Sequence, residues 1–231
     1  MENVKKHFEE EAKEYDKIIT NLIPYYREMT DTLIDVLPFE KQKNIKVLDL
    51  GCGTGTISKK VLEKFPNAEL LCVDISEKMI EMTKIKLKSY KNVHFQTGNF
   101  ANIEIKGTFD AAVSSLAIHH LTHKEKRVFY KKVYSLLKPD GYFYNADIIL
   151  AETEYMQKKY LDKWLQYMKK NMTEKEIDEK WIPTHKNEDK PSKLSDQISQ
   201  LKEAGFKTPE IVWKYYGFSI FGAIASQVKK T

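Results

Sequence analysis

The sequence predicts an α/β protein: a doubly wound, mostly parallel sheet of seven strands, closed by a C-terminal antiparallel hairpin and covered by a helical lid. Three observations carry that prediction. Between residues 45 and 147, short apolar runs alternate with stretches of helical periodicity, the pattern of a mostly parallel sheet. One of those runs, in "VLDLGCGTGTIS", ends in an aspartate and passes directly into a turn with three glycines in five residues. The tail "KTPEIVWKYYGFSIFGAIA" is rich in β-branched and aromatic residues around Gly217, as a closing pair of antiparallel strands would be.

In chain order, residues 3 to 37 read as one or two amphipathic helices broken near Pro24. The expected strands are "IKVLDL" (45 to 50), "AELLCVD" (68 to 74), "VHFQTG" (93 to 98), "FDAAVSS" (109 to 115) and "GYFYNAD" (141 to 147). Helices are expected at 56 to 65, 76 to 90 and 123 to 137, the second with Ser76 as its N-cap. Lys138, Pro139, Asp140 and Gly141 form a tight turn into the fifth strand. Residues 151 to 205 are helical, with a polar interruption at "PTHKNEDKPS". The expected division is therefore N-terminal helices at 1–40, an α/β core at 41–150, a helical lid at 151–205 and the closing hairpin at 206–231, with no internal repeat.

Composition narrows the partners. A chain of 231 residues with 42% hydrophobic content buries a full core as one domain with a modest insertion. The 38 basic residues nearly balance the 33 acidic ones, and only Arg27 and Arg127 are arginines, which speaks against nucleic-acid readout by the arginine fork. No apolar run approaches the roughly 20 residues that span a bilayer, and "MENVKKHFEEEAKEYDK" lacks the apolar centre of a signal peptide, so a cytoplasmic chain without a membrane partner is expected. Cys52 and Cys72 are the only cysteines; they suit a reducing compartment and have no metal-ligand spacing.

A strand that runs into a glycine-rich turn and then a helix leaves backbone N–H groups free and lets a ligand approach without meeting a Cβ. Dinucleotide enzymes want G-x-G-x-x-G, whereas Gly51, Gly53 and Gly55 are followed by Thr56 where that pattern needs its third glycine; no Walker lysine pattern is present either. A G-x-G-x-G loop behind Asp49 instead resembles the first motif of the Rossmann-like class I S-adenosylmethionine-dependent methyltransferases. The resemblance implies that the loop, Cys52 included, wraps the amino-acid part of S-adenosyl-L-methionine, with Asp49 near the ammonium. It implies that Asp74, at the end of the second strand, accepts the ribose hydroxyls, and that Ile75 and Met79 line the adenine. In "TGNF" many relatives have an aspartate facing the adenine amino group; here Asn99 stands in that place, followed by Phe100. "SSLAIHHL", with Ser115 and Leu116, falls where the family presents cofactor and active-site residues. Tyr15 matches an N-terminal tyrosine that touches the cofactor's carboxylate end.

On the acceptor side the candidates are His119 and His120, just past the carboxyl end of the fourth strand, where open α/β sheets bind ligands. A histidine near neutral pKa can take the proton that an amine or hydroxyl acceptor loses. His123 adds a third imidazole, but no nearby cysteine or acidic triad joins it, so no metal is expected. Tyr155, Tyr160, Trp164, Tyr167, Met168 and Trp181 give the insertion an aromatic stripe, either an internal packing face or a seal over the sulfonium. The first reading is thus methyl transfer to an N, O or C centre of a small-molecule acceptor by a monomer or homodimer. "YDKIITNLIPYYREM" also resembles the carboxy-S-adenosylmethionine synthases of tRNA modification, whose extra carboxylate is met in that family by a C-terminal arginine; no arginine follows Arg127 here. A third reading is a non-catalytic S-adenosylmethionine-binding protein.

Overall fold

A parallel strand buried on both faces presents side chains alternately to two core layers. Strand β1 (Lys46–Leu50) does so: Val47 packs into one layer, and Leu48 and Leu50 into the other. The computed structural model describes residues 1–226, and in it β1 lies inside a seven-stranded sheet. The strand order is β3 (Val93–Thr97), β2 (Glu69–Asp74), β1, β4 (Phe109–Ser115), β5 (Leu137–Ile148), β7 (Phe218–Ala225), β6 (Lys207–Tyr215). The first five are parallel, and β7 runs antiparallel between β5 and β6. The chain winds outward from β1 through β2 to β3 and then returns to start β4 on β1's other side. That reversal opens a crevice at the carboxyl ends of β1 and β4.

Helices cover both faces. α3 (Tyr26–Asp35), α4 (Thr56–Lys64) and α7 (Glu154–Met168) bury Met29, Leu33, Val61 and Trp164 in the layer that holds Val47. α6 (His123–Leu136) and α10 (Leu194–Ala204) bury Phe129, Val133 and Leu201 in the opposite layer. Over the carboxyl edge of the sheet lie α1 (Glu2–Glu11) and α2 (Tyr15–Leu22), and α5 (Glu77–Lys86) follows β2. The Ser76 hydroxyl accepts from the Met79 N–H at 3.1 Å, capping α5 as its residue type predicts. α6 opens on a reciprocal capping box between Thr122 and Glu125.

Four local features differ from the pattern-based expectation. Residues 3 to 37 form three helices, α1, α2 and α3, rather than one or two, with a break before Tyr15 as well as the expected one near Pro24. The helix after β2 stops at Lys86 rather than reaching residue 90. Lys138 to Gly141 bulge out of β5, whose pairing with β4 jumps from Phe109↔Leu137 to Ala111↔Tyr142, with Asp140 left-handed at φ 61°. Half of "PTHKNEDKPS" is helical: α8 (Glu174–Glu176) and a π turn (Ile177–Trp181) lead into α9 (Ile182–Glu188). Pro183 sits in the first turn of α9, directly after the π turn, whose last bond is Ile182 N–H to the Ile177 carbonyl. The hairpin expected over 206–231 forms as β6 and β7; residues 227–231 lie outside the described residues. No helix among the described residues is long and apolar enough to cross a membrane.

The β5–β7 pair depends on one missing side chain. Gly222 faces Tyr144 across the ladder, and a Cβ there would lie 2.2 Å from the Phe143 carbonyl oxygen and 2.2 Å from Tyr144 Cδ1. Gly222→Ala is expected to lower unfolding stability by about 2 kcal/mol or more, as an overpacked core does. Urea denaturation checks this; an unchanged midpoint would show that the ring and ladder shift freely.

Candidate functional site

The turn after β1 is shaped by where side chains are impossible. Gly51, Gly53 and Gly55 all have left-handed φ, at 74°, 53° and 82°. A Cβ on Gly51 would meet Ala117 Cβ at 2.3 Å and one on Gly55 would meet Thr83 Cγ2 at 2.8 Å, so these two glycines permit close packing of the backbone. Gly53 has nothing within 4 Å of its Cβ position, and it borders a cavity of about 670 Å³, open mouth included. The turn is stitched to the end of β2: Gly51 N and Cys52 N donate to the Val73 carbonyl at 2.8 and 3.0 Å. Gly53 N donates to Asp74 Oδ2 at 2.8 Å, while Asp74 Oδ1 accepts from Ser76 N at 2.9 Å.

Two carboxylates are buried at this turn. Burial pushes Asp74 up to about 6, against the pull of the N–H donors of Ser76, Gly53 and Ile75. Asp49 lies on the same face of β1 as Val47 and is fully buried. Its Oδ2 accepts from Ser58 Oγ at 2.5 Å, and its Oδ1 has no partner. Burial pushes Asp49 up to about 7, with Ser58 opposing it.

The N-terminal helices latch onto the turn through charge. Asp16 of α2 accepts from Thr54 Oγ1 at 2.5 Å and from Lys86 Nζ at 2.7 Å, and Lys86 also donates to Thr54 and Thr56 at 3.1 Å. Glu9 of α1 accepts from Ser76 Oγ at 2.9 Å. The latches close the first chamber over the glycine turn. Of the residues singled out from sequence, Tyr15, Gly51, Cys52, Gly53, Asp74, Ile75, Met79, Phe100, Ser115, Leu116 and His120 line it. Asp49 and Gly55 stand behind the lining, and Asn99 is off it, its Oδ1 accepting from Ala101 N at 3.0 Å. Sequence reasoning missed Met1, Val4, Phe8, Tyr26, Thr54, Thr56, Ile57 and Ala117. Thr54 and Thr56 were within reach, since they alternate with the glycines; the α1 residues carried no signal beyond helical periodicity.

A second chamber adjoins the first, sharing Phe8, Tyr15, Leu116 and His120 as common wall. Phe8 meets the rings of Tyr15 and His120 edge-on at 5.9 and 5.6 Å. Leu116 is left-handed at φ 52°, a strained conformation for a branched side chain, held by its N–H donating to Ala146 O at 2.9 Å. The far side carries Ile19, Leu22, Ile148, Trp164 and Trp181 with the polar groups His7, Glu11, His119, His185, Glu188 and Asp189. No lysine or arginine lines it among the described residues. Of the insertion's aromatic stripe only Trp164 and Trp181 reach this chamber. Tyr155 is exposed, Tyr160 accepts from Lys214, and Tyr167 donates to Thr20 O.

The adjacent histidines separate. His119 donates from its backbone N to Asp147 Oδ2 at 3.0 Å and from ring Nδ1 to Asp147 Oδ1 at 2.5 Å. Burial works against a charged His119, but the charges of Asp147 and Asp189 outweigh it and hold the ring at about 10. Burial, then the neighbouring His119, drives His120 down to about 3, and its Nε2 is buried without a partner. His123 turns away, its Nε2 bonded to Gln200 at 2.9 Å.

Comparisons with known proteins bear on the family and the fold. A family described as "Methyltransferase domain" matches residues 47–141. The carboxy-S-adenosyl-L-methionine synthase of Nautilia profundicola is 29% identical over 223 residues, covering 94% of each chain. The protein of that name from Campylobacter hominis is 26% identical over 230 residues, again covering 94% of each. Among solved structures, the YcgJ protein of Bacillus subtilis aligns with a TM-score of 0.62 at 18% identity, over 82% of this chain and 72% of that one. Human N-acetylserotonin methyltransferase in complex with SAM aligns with a TM-score of 0.60 at 16% identity, over 86% of this chain and 52% of that one.

The raised Asp49 carboxyl makes a stability prediction with an unusual sign. Its folded-state pKa of about 7 lies above the ordinary carboxylate value, so between roughly pH 4 and 7 the native chain keeps a proton that the unfolded chain has released. Stability from this group therefore falls as pH rises through that window. Asp49→Asn is expected to gain on the order of 1–3 kcal/mol over the parent between pH 5 and 8 in the absence of ligand. Urea melts at both pH values check it; parallel pH curves for the two proteins would refute it.

Proposed function

We propose that the chain is a class I S-adenosylmethionine-dependent methyltransferase, a reading supported by the methyltransferase-domain match over residues 47–141 and the shared fold, and that it moves the methyl group of S-adenosylmethionine to a small-molecule nucleophile held in the second chamber. The observation that carries this reading is the pair of chambers sharing one wall, with the glycine turn and Asp74 on one side and an apolar, acid-lined pocket on the other.

In this reading the first chamber takes the cofactor. Gly53 leaves room for the methionine portion, and Asp49, behind the lining with its Oδ1 unpartnered, supplies the negative charge that draws the ammonium toward the turn. Asp74 keeps its Gly53 and Ser76 N–H donors and accepts the ribose hydroxyls with its remaining lone pairs, and Ile75, Met79 and Phe100 enclose the adenine. Tyr15 and Phe8 put aromatic faces beside the sulfonium at the shared wall, where cation–π attraction and exclusion of water favour reaction. The protein's contribution is positioning: the acceptor is held in line behind the methyl. Glu11, Glu188 and Asp189 make the acceptor side attractive to a neutral or cationic molecule and repellent to an anion.

A second reading is favoured by a specific observation: the relatives that match over nearly the whole chain are named carboxy-S-adenosyl-L-methionine synthases. Full-length similarity supports it more strongly than it supports plain methyl transfer. Against it stands the lining of the second chamber, where among the described residues the imidazoles drawn toward the cation, His119 and His7, are already paired, with Asp147 and Asp189 and with Glu11 and Glu188. Mass spectrometry of the nucleosides after incubation with S-adenosylmethionine and a metabolite extract separates the two. Methyl transfer yields S-adenosylhomocysteine and a methylated small molecule; the second reading yields a cofactor enlarged by a carboxyl group.

Two expectations concern the cofactor alone. Calorimetry should show that Asp74→Ala weakens S-adenosylmethionine binding by about 1–3 kcal/mol, the cost of charge-assisted hydrogen bonds to two hydroxyls; unchanged affinity would move the ribose elsewhere. Because Asp49 and Asp74 titrate near 7 and 6 in the free protein and the cofactor needs both ionised, affinity should rise from pH 5 to 8 and level off above. A flat profile would remove both carboxylates from the binding step.

A further inference from the structure

Two adjacent histidines after β4 and a carboxylate from the end of α9 meet on the wall of the second chamber, close enough to share one ion. Asp189 Oδ1 lies 3.4 Å from His119 Nε2 and 3.4 Å from His120 Nδ1. One ligand atom from each falls within 4.8 Å of the others. Both contacts are longer than a charge-assisted hydrogen bond of about 2.7–2.9 Å. They match the edge of a tetrahedron whose bonds are about 2.0–2.1 Å, for which ligand atoms stand about 3.3–3.4 Å apart.

The surrounding groups orient these atoms as the outer partners of a metal ligand do. His119 Nδ1 is committed to Asp147, which leaves Nε2 as the nitrogen facing Asp189. Asp147 is itself fixed, its Oδ2 accepting from His119 N and Asn145 Nδ2 and its Oδ1 from Ile148 N. Asp189 Oδ2 is engaged by His185 Nδ1 at 2.6 Å, so Oδ1 is the free oxygen. His120 is only 6% exposed and its Nε2 is buried with no hydrogen bond, so the ring's polar contacts lie on the Nδ1 side, to Asp189 Oδ1 and to the Glu188 carbonyl, both at the long distance of 3.4 Å.

We propose that His119 Nε2, His120 Nδ1 and Asp189 Oδ1 bind one divalent transition-metal ion of the zinc-to-iron class, leaving an open coordination position toward the acceptor chamber. Two imidazoles and one carboxylate are a donor set suited to such ions, and three protein ligands leave room for a fourth from substrate. The inference deepens the methyl-transfer reading and rests on it for its chemistry. An acceptor hydroxyl or thiol that coordinates the ion becomes more acidic and passes its proton to solvent or to the Glu188 carboxylate. The acceptor atom then forms its bond to the methyl carbon as the sulfur–methyl bond breaks, with that electron pair staying on sulfur. The products are the methylated acceptor, S-adenosylhomocysteine and one proton.

The test uses the full chain, stripped with chelator and titrated with Zn²⁺ by calorimetry and with Co²⁺ by visible absorption. One ion per chain is expected. Asp189→Asn and His119→Ala should each weaken binding tenfold or more, and Asp147→Asn, which touches no ion, about 10- to 100-fold. S-adenosylmethionine binding by the same samples reports that each variant is folded. Should a variant fail to fold, X-ray absorption of the zinc-loaded parent decides alone, since it must show a nitrogen and oxygen shell with two imidazoles. Absent stoichiometric binding, binding equally tight in all variants, or a shell without imidazole overturns the site. Stoichiometric, variant-sensitive binding without methyl transfer leaves the site standing and sinks the functional reading. Methyl transfer that persists in fully chelated protein sinks the metal's role and leaves that reading standing.

Discussion

The hydrogen bond from Gly53 N to Asp74 joins the turn after β1 to the end of β2, and the arrangement of both chambers follows from it. With Gly51 N and Cys52 N also bound to the Val73 carbonyl, the turn has one available path, and only residues without a Cβ can follow it at Gly51 and Gly55. The cost is a carboxylate buried where it prefers to be neutral. In the proposed reading a cationic ligand bearing hydroxyls offsets, by its charge and hydrogen bonds, the desolvation that raises both pKa values.

A turn so fixed gives the N-terminal helices something to dock on. The Asp16, Lys86, Thr54 and Thr56 cluster and the Glu9 to Ser76 bond hold α2 and α1 across the mouth of the first chamber. Those helices in turn receive α7, through Trp164 Nε1 bonded to Leu22 O and Tyr167 OH bonded to Thr20 O. The wall between the chambers is thus built from pieces of α1, α2 and the segment after β4, each anchored to a different part of the sheet. Surface ion pairs of this kind contribute little energy singly. Their effect here is geometric, since each one ties a covering helix to a buried edge.

The second chamber shows a different balance. Its aromatic and aliphatic walls surround a concentration of histidines and carboxylates that a simple apolar pocket would not contain. Burying His119, Asp147 and Asp189 costs desolvation of each charge, and the mutual attraction of a well-bonded network offsets it only while every partner is present. Polar groups retained under that penalty and left with open lone pairs are the groups to examine for chemistry.

The fold was legible because its signals are local. Alternation in "VLDL", the capping serine before α5 and the aromatic pair around Gly217 act within a few residues, so the sheet, its closing hairpin and the glycine turn could be read before any contact was known. The lining of the first chamber was also largely legible, since its floor is the turn itself and the ends of adjacent strands. What the sequence could not decide was which groups meet across long distances in the chain. His123, three residues past the histidine pair, bonds to Gln200 instead, whereas Asp147 and Asp189 arrive from β5 and the end of α9. Periodicity tells each helix which face to bury but not what will lie opposite, so α1 as a wall and the acid–histidine cluster exist only once the tertiary structure has brought the elements together.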